Sequence, residues 1–482
     1  MKVLLVSPFT MEYVKRVDRQ PSLALLYLAA ALRQAGHEPK ILDLSTCDIT
    51  VSGDTEQQYI HHVLATIKTN CTGMVGINCL LSEHFPFIKK LSQRIKETFP
   101  SLPVVIGGIH PTLFSREILH NSTDIDVVVR GEGELQVVEL ANAFSGDSPP
   151  ELEHIESIAY TNKNGEYCEV ARKSYNSSLD DLPSPAWDLV SLQDYYTDHS
   201  TWYNPRNLDI KMSVPIMTSR SCPYDCSFCS IHYVMGRGLR LRDPSKVVDE
   251  MESLYRNHGM NYFGFVDDNL TLNKSHILSI CNEIIRRNMN IQFESINGYN
   301  LSSVDEEIVD AMVKAGCVYV ILPIEHGCDN MRNKVIGKRL DREKIFEVAE
   351  LYKRYNLLTR GYFIMGFPED TPETLEETYR MIIELQLDIN NVFNLIPFPG
   401  TKIFRQAIRD RLFLNEIDLD SLWEGTKGLN ADNNSQFYIK PYSMTIEELT
   451  EFRHRFDSLR MLSDRAKGLQ HGTSKLKGEQ TT

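Results

Sequence analysis

The feature of this sequence that most constrains its fold is a regular alternation of short apolar runs with longer helical segments. Five apolar runs ending in turn residues precede residue 132, at residues 3–6, 41–44, 74–77, 104–108 and 126–131. Between them, residues 22–36 and 86–99 carry apolar side chains at spacings of three and four, which is typical of helices, and Gly36 is suited to end the first helix. Buried strands joined by helices predict an α/β fold with a parallel sheet, of Rossmann-like or flavodoxin-like type, over residues 1–146.

The same alternation returns in the second half of the chain. Residues 147–207 are rich in Pro, Asp, Ser and Tyr, and we predict a linker there with a small hairpin around Asn164 and Gly165. Six apolar runs with intervening helices fill residues 208–409, which predicts a partial (β/α)6 barrel of the TIM type, with its ligand sites at the carboxyl ends of the strands. Residues 410–464 are predicted to form a C-terminal helical region, and residues 465–482 a disordered polar tail.

Charge and composition limit the partners of the chain. Its 482 residues include 51 Lys and Arg against 65 Asp and Glu, a net charge of −14 that disfavours extensive binding to nucleic acid. No apolar stretch reaches the roughly 18 residues of a membrane span, and the opening residues resemble a buried strand more than a signal peptide. Because most of the ten cysteines are scattered singly through apolar segments, we expect a reducing, cytoplasmic location.

Three cysteines break that scattered pattern. Cys222, Cys226 and Cys229 form a C-x3-C-x2-C arrangement on one predicted loop after a strand. A four-iron cluster normally takes four cysteine ligands, so three would leave one iron open to a substrate atom. The alternative is a structural zinc site completed by His232. We favour the cluster, because structural zinc usually serves small modules that cannot fold alone, whereas barrels keep reactive sites at strand ends.

The cysteine loop resembles that of the radical S-adenosylmethionine superfamily, and the resemblance covers about residues 212–402. Phe228, just before the last cysteine, matches an aromatic residue that packs near the adenine in that family. The resemblance implies a [4Fe-4S] cluster on the three cysteines. It also implies that the amine and carboxylate of S-adenosylmethionine bind the open iron before reduction cleaves the sulfonium.

Two later strand ends also resemble cofactor-binding segments of the family. Asp267, Asp268 and Asn269 stand where the family has a Gly-Gly-Glu stretch that holds the methionine amine. Glu325 ends the fourth barrel strand, as in the family's Glu-Ser-Gly segment near the ribose and methionine, and His326 replaces the usual Ser.

The fifth strand end carries a further part of the resemblance. Ile364, Gly366 and Glu369 match an Ile-x-Gly-x-x-Glu pattern that backs the adenine in the family. Tyr362 replaces the glycine that normally stands two residues before the Ile, and Gly361 lies beside it.

The first domain has no dinucleotide fingerprint, because its first strand ends in Ser7-Pro8-Phe9 instead of G-x-G-x-x-G. Glycines appear after the fourth and fifth strands instead, and small residues there would let a flat ligand approach the backbone. They would equally serve ordinary turns. The two segments run from Gly107 and Gly108 through His110, Pro111 and Thr112, and from Gly131 through Glu132 to Glu134.

These segments resemble the cobalamin-binding domain of one radical subclass, over about residues 1–146. The resemblance implies cobalamin between this domain and the barrel, contacted by the strand-end residues just named and by Ser7 and Pro8. The Asp-x-His-x-x-Gly motif that supplies a lower cobalt ligand elsewhere is not found, which implies a cobalt without that histidine. We do not assign His110 to the cobalt.

The resemblance implies a cobalamin-dependent radical enzyme, first of all a methyltransferase acting on an unactivated carbon of a small-molecule or natural-product precursor. One S-adenosylmethionine would supply the methyl group through cobalamin, and a second would give the 5′-deoxyadenosyl radical, with flavodoxin or ferredoxin as electron donor. An oxidative cyclase or rearrangement enzyme, and a non-catalytic corrinoid or metal sensor, stay open as alternatives. RNA modification is disfavoured by the acidic charge. Asn297, Tyr299 and Tyr319 are candidate substrate contacts at strand ends.

Overall fold

The computed structural model describes residues 1–8, 20–47, 55–70, 72–146, 150–173, 175, 178–197, 203–414, 418–425 and 436–463. The chain divides into two compact units. The first comprises Met1–Tyr196, Ile231–Gly236 and Asp418–Asn430, and the second comprises Thr197–Ser230, Arg237–Ile417 and Ala431–Thr482. The predicted boundaries therefore change, since most of the expected linker and two later segments belong to the first unit.

The first unit is built on a seven-stranded sheet in the order β2-β1-β3-β4-β5-β6-β7. Its first five strands pair in parallel, in the flavodoxin-like order 2-1-3-4-5, which confirms the predicted fold. The strands are β1 (Lys2–Ser7), β2 (Glu38–Asp43), β3 (Met74–Asn78), β4 (Val104–Gly107), β5 (Val127–Val129), β6 (Ile158–Thr161) and β7 (Tyr167–Val170). The helices are α1 (Leu23–Gln34), α2 (Thr55–Asn70), α3 (Phe85–Thr98), α4 (Ile109–Asn121), α5 (Glu134–Phe144) and, from a later segment, the short α6 (His232–Met235).

The predicted hairpin exists but is part of this sheet. Strand β6 pairs antiparallel with β5, and β7 pairs antiparallel with β6, with Val127 opposite Tyr160 and Tyr160 opposite Cys168. The turn contains Gly165 at φ 79°, in the left-handed region that glycine adopts without strain. The segment thus covers the β5 edge of the parallel sheet.

Helix α1 shows how local sequence sets the element boundaries. The Ser22 hydroxyl accepts a hydrogen bond from the Leu25 amide and begins the helix. The helix buries Leu25, Leu26 and Leu32 among other apolar residues. Gly36 follows its last turn at φ 84°, which confirms the predicted end.

The second unit contains a six-stranded sheet in the order β15-β14-β13-β12-β11-β8. All of its neighbouring strands run parallel, with a helix between each pair from β11 onward, which confirms the partial barrel. Its strands are β8 (Val214–Ile216), β11 (Tyr262–Phe265), β12 (Gln292–Ser295), β13 (Cys317–Glu325), β14 (Leu358–Met365) and β15 (Ile389–Asn394), beside the small pair β9 (Ser219–Arg220) and β10 (Arg240–Leu241). The helices are α7 (Pro244–His258), α8 (Lys274–Arg286), α9 (Glu306–Ala315), α10 (Arg342–Arg354), α11 (Pro372–Leu385) and α12 (Lys402–Arg409), with a π-helix at Met331–Ile336.

Capping residues define the crossover helices of this barrel. Asp243 accepts hydrogen bonds from the first free amides of α7, and Asp305 does the same for α9. Gly259 and Gly316 follow these two helices in the left-handed conformation. Each helix is therefore fixed at both ends by its own sequence.

The C-terminal region is less helical than predicted. Only α13 (Ile446–Asp457) is an α-helix within the described residues after α12. Phe413 and Ile439 form an isolated antiparallel bridge, and Leu419–Glu424 is a 3-10 turn within the first unit. The predicted disordered tail lies outside the described residues. Of the helices described, none is long and apolar enough to cross a membrane.

Candidate cluster and cofactor sites

The three cysteines lie on one half-buried loop at the carboxyl edge of the barrel. Cys222, Cys226 and Cys229 follow strands β8 and β9 and end in a tight turn, in which the Cys229 amide donates to the Cys226 carbonyl at 3.1 Å. The loop is held by the Ser227 amide, which donates to the Ile336 carbonyl at 2.9 Å, and by the Ser227 carbonyl, which accepts from the Ile403 amide at 3.1 Å. Backbone hydrogen bonds thus fix the loop on both sides of Ser227.

Asp267 has a different role from the predicted one. Its carboxylate is buried and accepts from the Thr218 amide, from the Thr218 hydroxyl at 2.7 Å and from the Ser219 hydroxyl at 2.5 Å. Burial raises the pKa of this carboxyl, and the hydrogen bonds from Ser219 and Thr218 oppose that change. Asp267 therefore fixes the strand that leads into the cysteine loop.

Asp268 and Asn269, by contrast, reach the cysteine loop itself. The Asp268 carboxylate accepts from the Ser221 amide at 2.9 Å, which holds Ser221 at φ 72°. The Asn269 amide nitrogen lies 3.7 Å from the Cys222 sulfur. The segment predicted to hold the methionine amine thus stands beside the first cysteine.

An ion pair lies next to the cysteines. Lys338 Nζ is 2.8 Å from Glu325 Oε1, and both side chains are largely buried. Burial raises the pKa of Cys226 to about 12, Lys338 lowers it, and Glu325, Cys229 and Cys222 raise it further. The three thiols and the ion pair are therefore close enough to interact electrostatically. Lys338 was not predicted, because it lies 13 residues beyond Glu325 in a segment without a recognisable motif.

An apolar surface adjoins the cysteines. Phe228, Ile364 and Cys226 pack against one cluster of buried residues that includes Phe367, Ile336 and Ile439. The rings of Phe228 and Phe367 are 6.5 Å apart in an edge-to-face arrangement. The structure therefore brings together the two residues predicted to face the adenine, although their positions are 136 residues apart in the sequence.

Backbone geometry at the ends of β13 and β14 is also unusual. Glu325 has φ 69°, a conformation that non-glycine residues rarely adopt, and Gly366 has φ 91°. Gly366 is buried, and a Cβ atom there would be in ordinary contact with Phe437 at 3.7 Å. Glu369 accepts from the Gln406 amide at 2.5 Å and lies at the base of this segment.

A buried His-Asp pair connects these two strand ends. His326 Nε2 donates to Asp370 Oδ1 at 3.0 Å, and Asp370 Oδ2 accepts from the amides of Gly366 at 2.7 Å and Phe367 at 2.9 Å. His326 Nδ1 accepts from the Cys328 amide at 3.0 Å. This His-Asp junction, as we call it, holds the cofactor-facing ends of β13 and β14 together. The sequence analysis noted His326 only because it replaces the usual Ser of the family, and it did not identify Asp370.

The donor set fits an iron-sulfur cluster. Three thiols on one loop and an apolar surface for an adenine are parts that such a cluster and S-adenosylmethionine require. No three His, Cys, Asp or Glu side chains among the described residues are placed to hold one metal ion. This does not bear on a cluster, because each cysteine there binds a different iron. His232 Nδ1, from the zinc alternative, is 3.1 Å from the Gly236 carbonyl oxygen.

The carboxyl edge of the first unit contains the predicted cobalamin residues. Gly107 is half-buried, and a Cβ there would be in ordinary contact with Val129 at 3.6 Å. Leu80, just after β3, is 48% exposed at the same edge. This open, apolar edge fits a large flat ligand. Gly108 is different, because a Cβ there would lie 2.4 Å from the Cys79 carbonyl, so this glycine serves strand packing.

His110 is part of the core of the first unit and does not face a ligand. Both ring nitrogens are occupied, Nδ1 with the Ser82 hydroxyl and Nε2 with the Trp423 carbonyl, each at 2.9 Å. Burial lowers the pKa of His110 to about 4, although the Trp423 carbonyl opposes that change. The His110 ring packs between Phe85 and Phe114.

Thr112 and Pro111 are buried in the first turn of α4. The Thr112 hydroxyl donates to the Gly108 carbonyl at 2.6 Å and accepts from the Gly131 amide at 2.9 Å, so it joins the ends of β4 and β5. These two residues shape the edge without presenting a polar group to it. Ser7 is half-buried and Pro8 buried at the end of β1.

Arg172 fixes the loop after β5. Its guanidinium donates to the carbonyls of Arg130 and Glu132, and it forms an ion pair with the Glu132 carboxylate at 3.4 Å. Glu132 is therefore engaged by the protein, contrary to a direct ligand role, and Glu134 is buried in the first turn of α5. Gly131 has φ 78°, and a Cβ there would lie 2.9 Å from the Val234 carbonyl.

A flavodoxin-like domain and a partial barrel with three cysteines at its carboxyl edge define a radical S-adenosylmethionine enzyme of the cobalamin-binding type. Comparison with known proteins supports this class directly. Residues 216–382 match the Radical SAM superfamily, and residues 14–141 match the B12 binding domain.

The chain belongs to the cobalamin-dependent radical S-adenosylmethionine family, and its cofactors are a [4Fe-4S] cluster, S-adenosylmethionine and cobalamin. It is 30% identical over 418 residues to an uncharacterized methyltransferase of Pyrococcus horikoshii, which covers 86% of this chain and 84% of that protein. It is 32% identical over 401 residues to the anaerobic magnesium-protoporphyrin IX monomethyl ester cyclase of Cereibacter sphaeroides, covering 81% of this chain and 61% of the cyclase.

A solved structure has the same fold. The radical S-adenosylmethionine methyltransferase TsrM from Kitasatospora setae, with tryptophan substrate and an S-adenosylmethionine analogue bound, superposes with a TM-score of 0.72 at 21% identity. The match covers 95% of this chain and 89% of TsrM. Both units of the present chain therefore have counterparts in one enzyme.

Proposed function

We propose that this enzyme transfers a methyl group from S-adenosylmethionine to an unactivated carbon of a small molecule. The observation that carries the proposal is the similarity to the Pyrococcus horikoshii methyltransferase, which extends through both units and most of that protein's length. The TsrM fold, found in a methyltransferase that acts on a small molecule, supports the same activity. When bound, the cluster supplies the electron that cleaves S-adenosylmethionine, and cobalamin carries the methyl group.

The residues of the barrel supply binding and orientation. Cys222, Cys226 and Cys229 hold the cluster and leave one iron open, while Phe228 and Ile364 support the adenine from one side. Glu325, fixed by Lys338, stands where the ribose and methionine are expected. In the first unit, the edge at Gly107 and the exposed Leu80 would hold cobalamin.

The experiment is a product analysis that separates methyl transfer from cyclisation. The anaerobically reconstituted enzyme is incubated with reductant, cobalamin and S-adenosylmethionine, and both nucleoside products are quantified. A methyltransferase forms S-adenosylhomocysteine together with 5′-deoxyadenosine. Formation of 5′-deoxyadenosine without S-adenosylhomocysteine would contradict methyl transfer and support cyclase chemistry instead.

The cyclase is a second candidate, because the identity to the Cereibacter sphaeroides enzyme reaches 32%. That similarity leaves more than a third of the cyclase without a counterpart in this chain. The methyltransferase match is more complete on both sides, covering 84% of that protein, and we therefore place methyl transfer first.

We further propose that the electrons come from a flavodoxin or ferredoxin and that the enzyme works in the cytoplasm. Both follow from cluster chemistry, since cluster thiolates require a reducing compartment. None of the cysteines that the structure describes forms a disulfide, which is consistent with this location. Reduction of the cluster by purified flavodoxin, followed as bleaching of the visible absorbance of the cluster, tests the donor. Lack of bleaching by flavodoxin and by ferredoxin would contradict it.

A further inference from the structure

The inner face of the six-stranded sheet borders open space. Along β14, Arg360, Tyr362 and Ile364 are half-exposed, whereas Gly361 and the other intervening residues are buried. The same alternation recurs on the neighbouring strand β15. Residues two apart share one face of a strand, and a Cβ at Gly361, on the opposite face, would touch Leu387 of the outer layer. The half-exposed residues therefore line an open lumen, in contrast to barrels whose interior is filled.

The amino ends of the strands close this lumen. Tyr262, Tyr319, Leu358 and Ile389 form an apolar floor with Ile210, which comes from the segment that precedes β8. Because the floor lies at the amino ends, the lumen is a pocket whose mouth is the carboxyl edge. That edge carries the cysteine loop.

A guanidinium without its full set of partners stands on this floor. The Arg360 guanidinium carbon lies 5.1 Å from the centre of the Tyr319 ring. Arg360 Nε is buried and has no hydrogen-bond partner among the described residues, and the same holds for the Tyr319 hydroxyl and for Asn391 Oδ1. Buried polar groups of folded proteins are nearly always paired. Arg360 Nε and the Tyr319 hydroxyl can both donate, so a ligand that brings acceptor oxygens would complete these two groups.

Glu294 does not take that place. It lies within electrostatic range of Arg360, but its side chain is hydrogen-bonded to Tyr262. Tyr362 is the protein group that contacts Arg360 by a hydrogen bond, and it lies one step nearer the mouth on the same strand face. The Arg360 guanidinium therefore still has N–H groups that can donate hydrogen bonds to a ligand in the lumen.

Gly264 of β11 lets neighbouring side chains pack close to the strand. A Cβ there would lie 2.7 Å from Ile296 Cδ1 and 2.9 Å from the Ser213 hydroxyl, so a larger residue would displace them. The Ser213 hydroxyl has no hydrogen-bond partner among the described residues.

We propose that Arg360 binds an oxyanion of the substrate, a carboxylate or a phosphoryl group, at the floor of the barrel lumen. This inference rests on the proposed function, because it takes the lumen as the substrate pocket. A planar guanidinium suits either oxyanion through two parallel hydrogen bonds. The four residue steps from Arg360 to Ile364 span about 13 Å of strand. The substrate is accordingly an acidic small molecule whose charged end is held at the floor while its reacting carbon reaches the cofactor edge.

The experiment measures binding without turnover. Benzoate, phenylphosphonate and the neutral benzamide serve as probes of the full-length protein in saturation-transfer NMR, without reductant. The two anions are expected to bind and benzamide is not, and the stronger of the two anions distinguishes a carboxylate from a phosphoryl substrate. Arg360→Gln is expected to weaken anion binding by about tenfold to a hundredfold, the range of a charge-assisted hydrogen bond. Arg360→Lys is expected to bind the anions more weakly than the wild type and more strongly than Arg360→Gln.

The matched control is Arg354→Gln, which removes an exposed guanidinium of α10 whose only described ion pair is the 3.6 Å contact with Glu306. This variant should bind the anions as the wild type does. Equal binding of benzamide, equal binding by Arg360→Gln, or no anion binding at millimolar concentration would overturn the proposal. Circular dichroism shows whether Arg360→Gln folds, and Arg360→Lys tests the same site if it does not. Failure of the product analysis, with anion binding intact, would refute methyl transfer and leave the oxyanion site standing.

Discussion

Replacement of Asp370 by asparagine is a sharp test of the His-Asp junction between β13 and β14. One carboxylate oxygen accepts from the amides of Gly366 and Phe367, and the other accepts from His326 Nε2. His326 cannot reverse its tautomer, because its Nδ1 already accepts from the Cys328 amide at 3.0 Å. An asparagine has one oxygen only, so its NH2 group must face either the histidine N–H or the two backbone amides.

The free-energy cost of Asp370→Asn follows from the number of buried donors that lose their acceptor. All groups of the junction are buried, and Asp370 and His326 are both 0% exposed. Leaving one buried donor unsatisfied costs about 1–3 kcal/mol. If the strand end opens locally, hydrogen exchange at the amides of Gly366 and Phe367 should accelerate about fivefold to 150-fold in Asp370→Asn.

Hydrogen exchange followed by mass spectrometry of the peptide containing Gly366 measures this change locally, which matters in a protein of two units. Binding of S-adenosylmethionine, measured by equilibrium dialysis, should weaken in parallel because Ile364 and Gly366 belong to the same segment. The control Asp310→Asn removes an exposed ion pair with Lys314 and should leave exchange at Gly366 unchanged. Unaltered protection of the Gly366 peptide in Asp370→Asn would refute the reasoning.

Three further predictions concern the cysteines, the first unit and the buried ion pair. Cys226→Ala should abolish formation of 5′-deoxyadenosine, while Cys168→Ala, in the hairpin, should retain it; residual activity of the first variant would argue against the cluster ligands. The pKa of His110 is lowered to about 4, so the unfolded chain binds its proton first as pH falls, and urea unfolding of the first unit should lose about 3 kcal/mol between pH 7 and pH 4. His110→Gln should flatten that profile, and an unchanged profile would contradict the assignment. Lys338→Met, which removes a positive charge beside Cys226, should lower the reduction potential of the cluster in a redox titration, and Lys338→Arg should not; equal potentials in all three proteins would show that Lys338 acts only on Glu325.

The sequence predicted both sheets because their strands are coded locally. The apolar runs at residues 3–6 and 104–108 became β1 and β4, and Gly36 ended α1 as expected. The place of the hairpin was found from Asn164 and Gly165, but its attachment to β5 was not. Strand pairing depends on partners distant in the chain, and local composition does not contain them.

Within the site, the cysteines and the neighbourhood of Phe228 and Ile364 followed from motifs, whereas the polar support did not. Asp267 was expected to face the cofactor, yet its neighbours Thr218 and Ser219 bind its carboxylate. The pairing of His326 with Asp370 spans 44 residues and has no sequence signature. A carboxylate at a strand end is the same in sequence whether it binds a ligand or the backbone beside it.

The C-terminal region shows a third limit. Residues 410–464 were predicted to form a helical region, and α13 is the α-helix that the described residues of this region contain. The turn at Leu419–Glu424 is instead held in the first unit, where the Trp423 carbonyl accepts from His110. Such a contact joins residues 313 positions apart and depends on the fold already being complete.

The central claim is that Cys222, Cys226 and Cys229 hold a four-iron cluster with one open iron. Its most direct test is the measurement of iron, acid-labile sulfide and zinc in anaerobically purified protein, together with the electron paramagnetic resonance spectrum of the reduced sample before and after addition of S-adenosylmethionine. About four irons and four sulfides per chain, and a spectrum that changes with S-adenosylmethionine, are predicted. Stoichiometric zinc without sulfide would contradict the account. So would a reduced cluster whose spectrum does not change when S-adenosylmethionine is added.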